Sequence, residues 1–506
     1  MKALGLALAL AATTALATPA MADPDITFAS ASRLSADHVM VVHDGDDDAF
    51  AALDDEAADR LREAIAAAAF EPKMGKTLTV HAAGPYKSLT VIGAGEEALK
   101  ARDLHDLGGH AAKSLKAGET TAFLVDGLDT DVATPAAHIA MGAKLGGYTF
   151  TTYKSDAEDE AASLVVTTAD ATDARRAFGS DHGQLADAVN LVRDLGNSPG
   201  RDIYPESFVQ KMREAFRGVR GVNLKVYELD DLERMDAGGI VGVGQGSVHD
   251  PRMLVVEYMG GGSEAPIALV GKGITFDTGG ISLKGNNGMW LMKSDLSGAA
   301  AVGATVLAAA KRGADVNLVA VMPLAENMPA DNAIRPGDVL TTYNGTTIEV
   351  ISTDAEGRLL LADAVAYAQD QYDPELLVNI ATLTGSAGRA LGDEYAAVVT
   401  RDFDLARRMM EVGEAAGEEV WPLPLHPNHY DQIKSDIADI KGTAGAPGAS
   451  IGAAVVGTFV EEDQPWIHID MASVDWRDSA TPTAPKGHAG WGVRFLDQLI
   501  RELESE

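Results

Sequence analysis

The chain of 506 residues contains no cysteine, which excludes disulfide bonds, thiolate nucleophiles and zinc sites with Cys ligands. It is also poor in basic residues, since 41 Lys and Arg stand against 75 Asp and Glu and give a formal net charge of −34. Because phosphate groups are bound by basic surfaces, this balance argues against nucleic acid or an anionic membrane as a partner. A site that concentrates cations is compatible with it.

Long apolar runs are rare as well, and the run at residues 3–17 is the one that approaches a membrane segment. It follows Lys2 and precedes Ala-Met-Ala at 20–22, which is the layout of a secretory signal peptide. The run falls short of the ~20 apolar residues that a spanning helix needs. We therefore expect residues 1–22 to be a signal peptide, with a retained anchor as the second possibility. The mature protein would be exported to the periplasm, and the cytoplasm is the alternative location.

Length and alternation predict an α/β fold with two α/β domains. Residues 23–170 alternate β-rich runs with Ala-rich helical stretches at 54–69 and 108–118. Residues 171–196 have helical spacing and form the predicted connecting helix. In residues 197–506 several strands are continuous apolar runs, which is typical of strands buried on both faces. We predict here a mainly parallel mixed sheet flanked by helices, with its ligand site beyond the strand ends.

Two glycine-punctuated motifs concentrate charge just past predicted strand ends. The first reads VGKGITFDTGGISLK (270–284) and is followed by MKSD (292–295). The second reads STDAEGRLLLADA (352–364). Both motifs would meet at the carboxyl ends of strands, where a sheet of this kind binds its ligands.

The second motif places three charged residues at alternate positions. We expect Asp354, Glu356 and Arg358 to share one face of an extended segment. A helix would begin only at Leu359. A glutamate at position 356, taken alone, would most often be an acid that is favoured at a helix N-terminus. The functional interpretation therefore depends on the combination of these residues and not on any one of them.

From these motifs the predicted site takes four carboxylates, two lysines and one arginine. Two dications would balance four ionised carboxylates, whereas without metal such a cluster would repel itself and take up protons. Oxygen ligands suit Mn²⁺, Zn²⁺ and Mg²⁺, and we predict a site for two divalent metal ions. A lysine could join as a ligand only as a neutral amine. The residues are Lys272, Asp277, Lys284, Asp295, Asp354, Glu356 and Arg358.

These motifs resemble the leucyl aminopeptidase family, or cytosol aminopeptidases, which are two-metal exopeptidases. The family pattern NTDAEGRL occurs here as STDAEGRL (352–359), its VGKGxTFDTGGxxxK segment begins at Val270, and ATLTG occupies 381–385. The similarity extends from Asn190 to the C-terminus. No comparable match is evident in the first domain, where the family leads one to expect a variable sequence.

The resemblance implies a role for each metal ligand. Asp277 and Glu356 would bridge the two ions. Lys272 and Asp295 would complete one metal site. Asp354 would complete the other through its carboxylate and its backbone carbonyl.

The resemblance also implies the catalytic groups, the substrate pocket and the assembly. Lys284 would polarise the scissile carbonyl, and Arg358 would hold a bicarbonate ion that acts as general base. The substrates would be peptides with a free N-terminus, preferably with leucine or another apolar residue first, and the enzyme would be a homohexamer. Core packing is the alternative explanation for the residues that match the side-chain pocket, which are Met292, Thr382, Leu383 and Ala472.

Three departures from the family pattern stand out. Ser352 replaces the usual Asn, and Leu296 stands where the family often has Met. Neither residue is a ligand, so both bear on pocket shape and specificity. The export signal is the third departure, because the best-known members are intracellular.

Other functional classes fit less well. A P-loop reading of VGKG fails because Pro266 and Gly273 occupy essential positions, and no HExxH motif is present. The G-x-S-x-G patterns around Ser198 and Ser450 do not join a strand to a helix, as a nucleophile elbow must. A non-catalytic binding protein on this scaffold, for example one that binds DNA, is the alternative hypothesis, and the acidic balance opposes it. An inactive protein with the same scaffold is disfavoured, because all the charged residues of the family pattern are present in this sequence.

Overall fold

The computed structural model describes residues 23–30, 35–45, 48–155 and 160–505. The predicted signal peptide, residues 1–22, lies outside these ranges. Two large sheets dominate the described residues, one in each half of the chain, and helices cover both. The predicted α/β class with two α/β domains is thereby confirmed. None of the described helices is long and apolar enough to span a bilayer.

A six-stranded sheet forms the centre of the first domain. Its strands are β1 (Asp25–Ala29), β2 (His38–His43), β3 (Thr77–Ala83), β4 (Tyr86–Gly93), β5 (Thr120–Leu124) and β6 (Ser163–Thr167). They are ordered β1-β6-β5-β2-β4-β3, with β3–β4 antiparallel and the other pairs parallel. Three α-helices accompany them: α1 (Asp55–Ala68), α2 (Ala101–Ala112) and α3 (Pro135–Gly146). Helix α1 packs on one face, and α2 and α3 pack on the other.

Helix α2 corrects the predicted helical stretch at 108–118. The helix starts earlier and ends at Ala112, so that Gly108 lies in its interior. A Cβ atom on Gly108 would lie 1.9 Å from the carbonyl oxygen of Ile139. The glycine therefore permits the close crossing of α2 and α3 and does not mark a helix end.

A long helical connection leads from the first domain to the second. It consists of α4 (Ala171–Ala177), a π-helical turn (Phe178–His182) and α5 (Gly183–Asn197). Within α5 the buried guanidinium of Arg193 donates hydrogen bonds to the carbonyl oxygens of Leu145, Thr483 and Ala489, at 2.7–2.9 Å. Leu145 belongs to α3, so this one side chain ties the first domain to the C-terminal part of the chain.

The second domain is built on a nine-stranded sheet. Its strands are β7 (Val222–Tyr227), β8 (Arg252–Met259), β9 (Ile267–Gly271), β10 (Gly273–Asp277), β11 (Asn317–Asn327), β14 (Leu376–Ala381), β15 (Ala396–Val399), β16 (Val420–Pro422) and β18 (Trp466–Asp470). The order is β16-β15-β18-β14-β9-β11-β8-β7, with β10 paired to β11. The central pairs are parallel, whereas β7–β8, β8–β11 and β15–β18 are antiparallel. Small sheets join β12 (Val339–Thr341), β13 (Thr347–Glu349) and β17 (Ile440–Lys441), and β19 (Trp476–Arg477) with β20 (Gly487–His488).

Helices cover both faces of this sheet because its strands are apolar on both sides. Along β11, Leu318, Ala320 and Met322 enter one core, while Val319 and Val321 enter the other. The first core also receives α5, α6 (Pro205–Ala215), α9 (Ser297–Arg312), α12 (Phe403–Ala416) and α15 (Val493–Glu504). The second receives α7 (Leu229–Arg234), α8 (Gly238–Gly244), α10 (Glu356–Tyr372) and α14 (Gly448–Gly457). Short helices α11 (Gly385–Leu391) and α13 (Pro427–Gln432) complete the domain.

The start of α10 differs from the sequence prediction. A 3-10 turn covers Thr353–Ala355, and the α-helix begins at Glu356 rather than at Leu359. Asp354, Glu356 and Arg358 therefore do not share a face of an extended strand. The acidic side chain at the helix N-terminus, where backbone N–H groups are free, favours this earlier start.

Candidate metal centre

The charged residues of both motifs meet at the carboxyl ends of the central strands. Strands β9 and β10 pair with successive parts of β11, and Lys272 lies between them. The pairing register shifts within β10, between Ile274 and Phe276. Asp277 ends β10, and Asp295 follows a 3-10 helix at Met289–Ser294. The helix start described above brings Asp354 and Glu356 to the same place.

Three carboxylates form the centre of this cluster. One oxygen from each of Asp277, Asp354 and Glu356 lies within 4.8 Å of the others. Asp277 and Glu356 are 2 % exposed, whereas Asp354 faces solvent. A spacing of this size allows a single cation to contact carboxylates from two separate motifs.

Two lysines link the carboxylates. Lys272 Nζ lies 2.8 Å from Asp295 Oδ1 and 2.9 Å from Glu356 Oε1. Lys284 Nζ lies 2.8 Å from Asp277 Oδ2 and 2.5 Å from Asp354 Oδ1. Lysines from the first motif thus bridge to the second, and the sequence-predicted ligands are brought together.

Buried oxygens without partners test whether these residues suit divalent cations. Within the described part of the chain, Asp295 Oδ2 and Glu356 Oε2 are buried and accept no hydrogen bond. Four carboxylates face only two lysine charges, so negative charge is left uncompensated. Buried, unpaired carboxylate oxygens are costly unless a cation contacts them, and the set therefore fits a metal centre.

The pKa values reflect burial first and the neighbouring charges second. Burial raises the pKa of Asp295 and of Asp277, and lysine charges only partly oppose the shift. For Glu356, burial acts upward, but Lys272 and Lys284 outweigh it and lower the pKa. Burial would lower the pKa of Lys272, yet the charges of its carboxylate neighbours raise it. Lys272 therefore keeps its proton in this arrangement.

Asn327 is a member of the site that the sequence analysis missed. It ends β11, is 2 % exposed, and its Nδ2 donates to Asp277 Oδ1 at 2.7 Å and to the carbonyl oxygen of Thr353 at 3.0 Å. One side chain therefore connects the first motif to the second. A pair of polar residues, Glu326 and Asn327, at the end of a long and mainly apolar strand was the available signal.

Two glycines let the first motif approach the second. Gly279 and Gly280 have φ values of +87° and +63°, which favour glycine. A Cβ atom on Gly279 would lie 2.8 Å from Asp354 Oδ1. The TGG turn after Asp277 is thus required for the close approach of the two motifs.

Arg358 is buried beside the cluster, on the first turn of α10. Its Nη1 donates to the carbonyl oxygen of Gly442 at 3.2 Å, while its Nε is buried without a hydrogen-bond partner. Burial lowers the pKa of the guanidinium, and Glu356 and Asp470 oppose that shift. An unpaired guanidinium N–H of this kind can bind an oxyanion.

A cavity of about 390 Å³ opens next to the cluster. Its walls include the five predicted metal ligands and Lys284, and also the four residues predicted for the side-chain pocket. Arg358 is not part of its lining. A larger groove of about 810 Å³ lies in the first domain, but it lacks a carboxylate cluster and is walled by residues such as Lys73 and Glu71, which pair with each other.

Three of the four pocket residues are held by polar contacts. Thr382 donates from Oγ1 to Asp295 Oδ1 at 2.6 Å, and its carbonyl oxygen accepts from Lys272 Nζ at 2.9 Å. Asp470, also missed in the sequence, accepts hydrogen bonds from the N–H groups of Leu383 and Ala472 at 3.1 and 3.3 Å. The pocket wall is therefore fixed to the charged cluster and to the end of β18.

Comparison with known proteins places this geometry in a family. Residues 190–497 match the model of the "Cytosol aminopeptidase family, catalytic domain", and residues 39–157 match that of its N-terminal domain. The second match lies in the region where sequence motifs showed no resemblance. Proteins named "Probable cytosol aminopeptidase" from Afipia carboxidovorans and Rhizobium etli are 39% and 38% identical to the chain. The alignments cover 88% of the chain and 91% of the first relative, and 94% of the chain and 98% of the second.

Solved structures show the same fold. The "Bottromycin maturation enzyme BotP in complex with Mn" superposes with a TM-score of 0.82 at 31% identity, over 93% of this chain and all of that one. A mutant of tomato leucine aminopeptidase superposes with a TM-score of 0.81 at 27% identity, over 95% of this chain and 96% of its own. Both similarities extend across the two domains.

Proposed function

Because the chain belongs to the cytosol aminopeptidase family and is thus an aminopeptidase of a metal-dependent family, we propose that it preferentially releases leucine and other apolar N-terminal residues from peptides. The observation that carries the proposal is the convergence of Asp277, Asp354 and Glu356 within 4.8 Å at one wall of a cavity. Apolar side chains, among them Met292 and Leu383, line the same cavity. The charged cluster and the pocket are then suited to bind opposite ends of one substrate residue.

The proposed cofactors are two divalent metal ions, Mn²⁺ or Zn²⁺, with Mg²⁺ as a third candidate. Asp277 and Glu356 would contact both ions. Lys272 and Asp295 would complete one site, and Asp354 the other, as the family resemblance implies. Bound ions would activate a water molecule, bind the free amine of the substrate and stabilise negative charge on the scissile carbonyl oxygen. Since Lys272 is protonated in its ion pairs, its participation as a ligand requires loss of that proton.

Lys284 would donate a hydrogen bond to the developing oxyanion. Its ammonium group lines the cavity, and its side chain is 23% exposed between Asp277 and Asp354. Both carboxylates hold it at the cluster, and they raise its pKa so that it remains charged. A charged donor fixed in place before the reaction is what oxyanion stabilisation requires.

Arg358 would hold a bicarbonate ion that accepts a proton from the attacking water. The buried, unpaired Nε supports this role, since an oxyanion would satisfy it. Because Arg358 does not line the cavity, the anion would have to extend from the arginine toward the cavity to reach the attacking water.

The remaining proposals concern pocket, domains, assembly and location. The N-terminal side chain of the substrate would contact four residues of the pocket, which are Met292, Thr382, Leu383 and Ala472.

The chain would divide at 23–170, 171–196 and 197–506, in accord with the long helical connection between the sheets. Six chains would assemble into a homohexamer, which light scattering on the native protein can test. The relatives' names point to the cytosol, whereas residues 1–22 predict export, and cell fractionation would distinguish these locations.

Hydrolysis of leucine p-nitroanilide by the purified protein tests the function. We expect turnover that a chelator abolishes and that Mn²⁺ or Zn²⁺ restores. Glu356→Ala should abolish turnover and leave the circular dichroism spectrum unchanged. A folded, metal-loaded protein without activity on any aminoacyl p-nitroanilide would contradict the proposal, as would full activity of the Glu356 variant.

A further inference from the structure

Asp475 is a buried carboxyl group that the proposed mechanism does not use. It precedes β19, is 5% exposed, and lines the same cavity as the metal cluster. Met292 and Ala472, two proposed side-chain pocket residues, line this cavity too. An acid therefore stands in a pocket that is otherwise suited to apolar side chains.

The Asp475 carboxylate has hydroxyl partners and no ion pair among the described residues, although the more distant charge of Lys272 acts on it. Its Oδ2 accepts hydrogen bonds from the Oγ atoms of Ser294 and Ser297, at 2.9 and 3.5 Å. Among the ion pairs of the described residues, none includes Asp475. Lys293 is the neighbour of Ser294 in sequence, but its Nζ donates to the carbonyl oxygen of Asn197 at 2.6 Å and lies over the ring of Trp476.

A buried carboxyl group without an ion-pair partner is costly when it is ionised, which calls for an explanation. Burial raises the pKa of Asp475 to about 7, so the group is readily ionised when a positive charge comes near. Leucine would leave the carboxyl with its two serine hydroxyl partners and without an ion-pair partner. A side chain with an apolar stem and a cationic end would contact Met292 along its length and supply the missing charge at its tip.

We propose that Asp475 is a specificity-determining residue, which lets the side-chain pocket accept N-terminal lysine and arginine in addition to apolar residues. The inference rests on the proposed aminopeptidase function and deepens it by naming a second class of substrate. The competing explanation is a purely structural role, in which Asp475 only ties the first turn of α9 to the segment after β18.

Matched substrates separate the two explanations. Lysyl and norleucyl p-nitroanilides share a straight apolar stem, and only the first carries an ammonium group. We expect the wild-type enzyme to cleave the lysyl substrate at least as efficiently as the norleucyl one, by kcat/KM. In Asp475→Asn, which keeps a hydrogen-bond acceptor for the serines, the lysyl-to-norleucyl ratio should fall about ten- to hundred-fold, as for loss of a charged hydrogen bond.

Asp363→Asn is the matched control. Asp363 is also a buried acid with a pKa raised to about 7, but it accepts hydrogen bonds from backbone N–H groups of Ile240 and Tyr343 and does not line the cavity. Its substitution should leave the lysyl-to-norleucyl ratio unchanged, even where it lowers the melting temperature.

Each outcome bears on a different claim. An unchanged ratio in a folded Asp475→Asn protein would refute the inference. Strong preference of the wild-type enzyme for norleucyl over lysyl substrate would refute it as well, whether or not the variant folds. Absence of hydrolysis of leucyl, norleucyl and lysyl substrates alike would instead overturn the proposed function.

Discussion

Replacing Asn327 by alanine should weaken the metal centre although no proposed ligand is removed. The change deletes the hydrogen bonds to Asp277 Oδ1 and to the carbonyl oxygen of Thr353. A hydrogen bond to a charged group contributes about 1.5–3 kcal/mol and one to a neutral carbonyl about 1 kcal/mol. We therefore expect the free energy of unfolding of the metal-free protein to fall by about 2.5–4 kcal/mol.

The larger effect concerns metal affinity, because Asn327 holds together two segments that carry different proposed ligands. Loss of a residue that orients a metal ligand typically lowers affinity about 10- to 100-fold. Equilibrium dialysis of Mn²⁺ against a chelator, with metal analysis of the protein, measures this directly. The kcat/KM for leucine p-nitroanilide at limiting Mn²⁺ should fall in parallel and recover in part at saturating Mn²⁺.

Asn379→Ala provides the control for this experiment. Asn379 is equally buried, and its amide contacts Trp466 Nε1 and His468 Nδ1, both at 2.7 Å, but it does not line the cavity. Its loss should lower stability by a similar amount and leave metal affinity unchanged. If Asn327→Ala loses stability and binds Mn²⁺ as tightly as the wild type does, the proposed positioning of Asp277 is wrong.

Three further predictions follow from the same contacts. Lys284→Ala should lower the kcat of the folded, metal-loaded enzyme about 10²- to 10³-fold, and unchanged kcat would exclude oxyanion stabilisation by this residue. Metal loading near neutral pH should release protons, since Lys272 is protonated without metal. Calorimetry in two buffers of different ionisation enthalpy would measure the number of protons released per protein. A number of zero would contradict ligation of the metal by the Lys272 amine. His468 and His488 are fully buried with pKa values lowered to about 3, chiefly by burial, so below pH 6.5 the unfolded chain takes up protons that the folded chain does not. Their combined effect should reduce the free energy of unfolding by about 3 kcal/mol between pH 8 and pH 5.5, and His488→Asn should remove about half of it in urea titrations.

The local pattern of apolar residues predicted much of the fold. The features that it did not predict depend on contacts between residues far apart in the sequence. The apolar run of β11 was recognisable as a buried strand because both faces of that strand enter a core. Helix starts were less accurate: Gly108 looked like a helix boundary, and only its distance to Ile139 shows why a glycine is needed inside α2. For α10 the N-terminal acid Glu356 starts the helix three residues earlier than expected.

The candidate site shows the same division. Glycine-rich motifs after strands identified the clustered carboxylates, because such motifs are local. Asn327 and Asp470 were missed because each acts on a segment far away in sequence, Asn327 on Thr353 and Asp470 on Leu383. Asp475 was missed for a related reason, since nothing in its neighbouring residues indicates that its carboxyl reaches the pocket.

Arg193 limits how this enzyme can be taken apart. Its guanidinium group satisfies carbonyl oxygens from α3 and from the segment at 483–489, and it is 2% exposed. A shortened protein that began at α5 would uncover this charge along with the apolar surface around Leu145. In a chimaera that takes its first domain from a relative, α3, α5 and the segment 483–489 should therefore all come from the same parent protein.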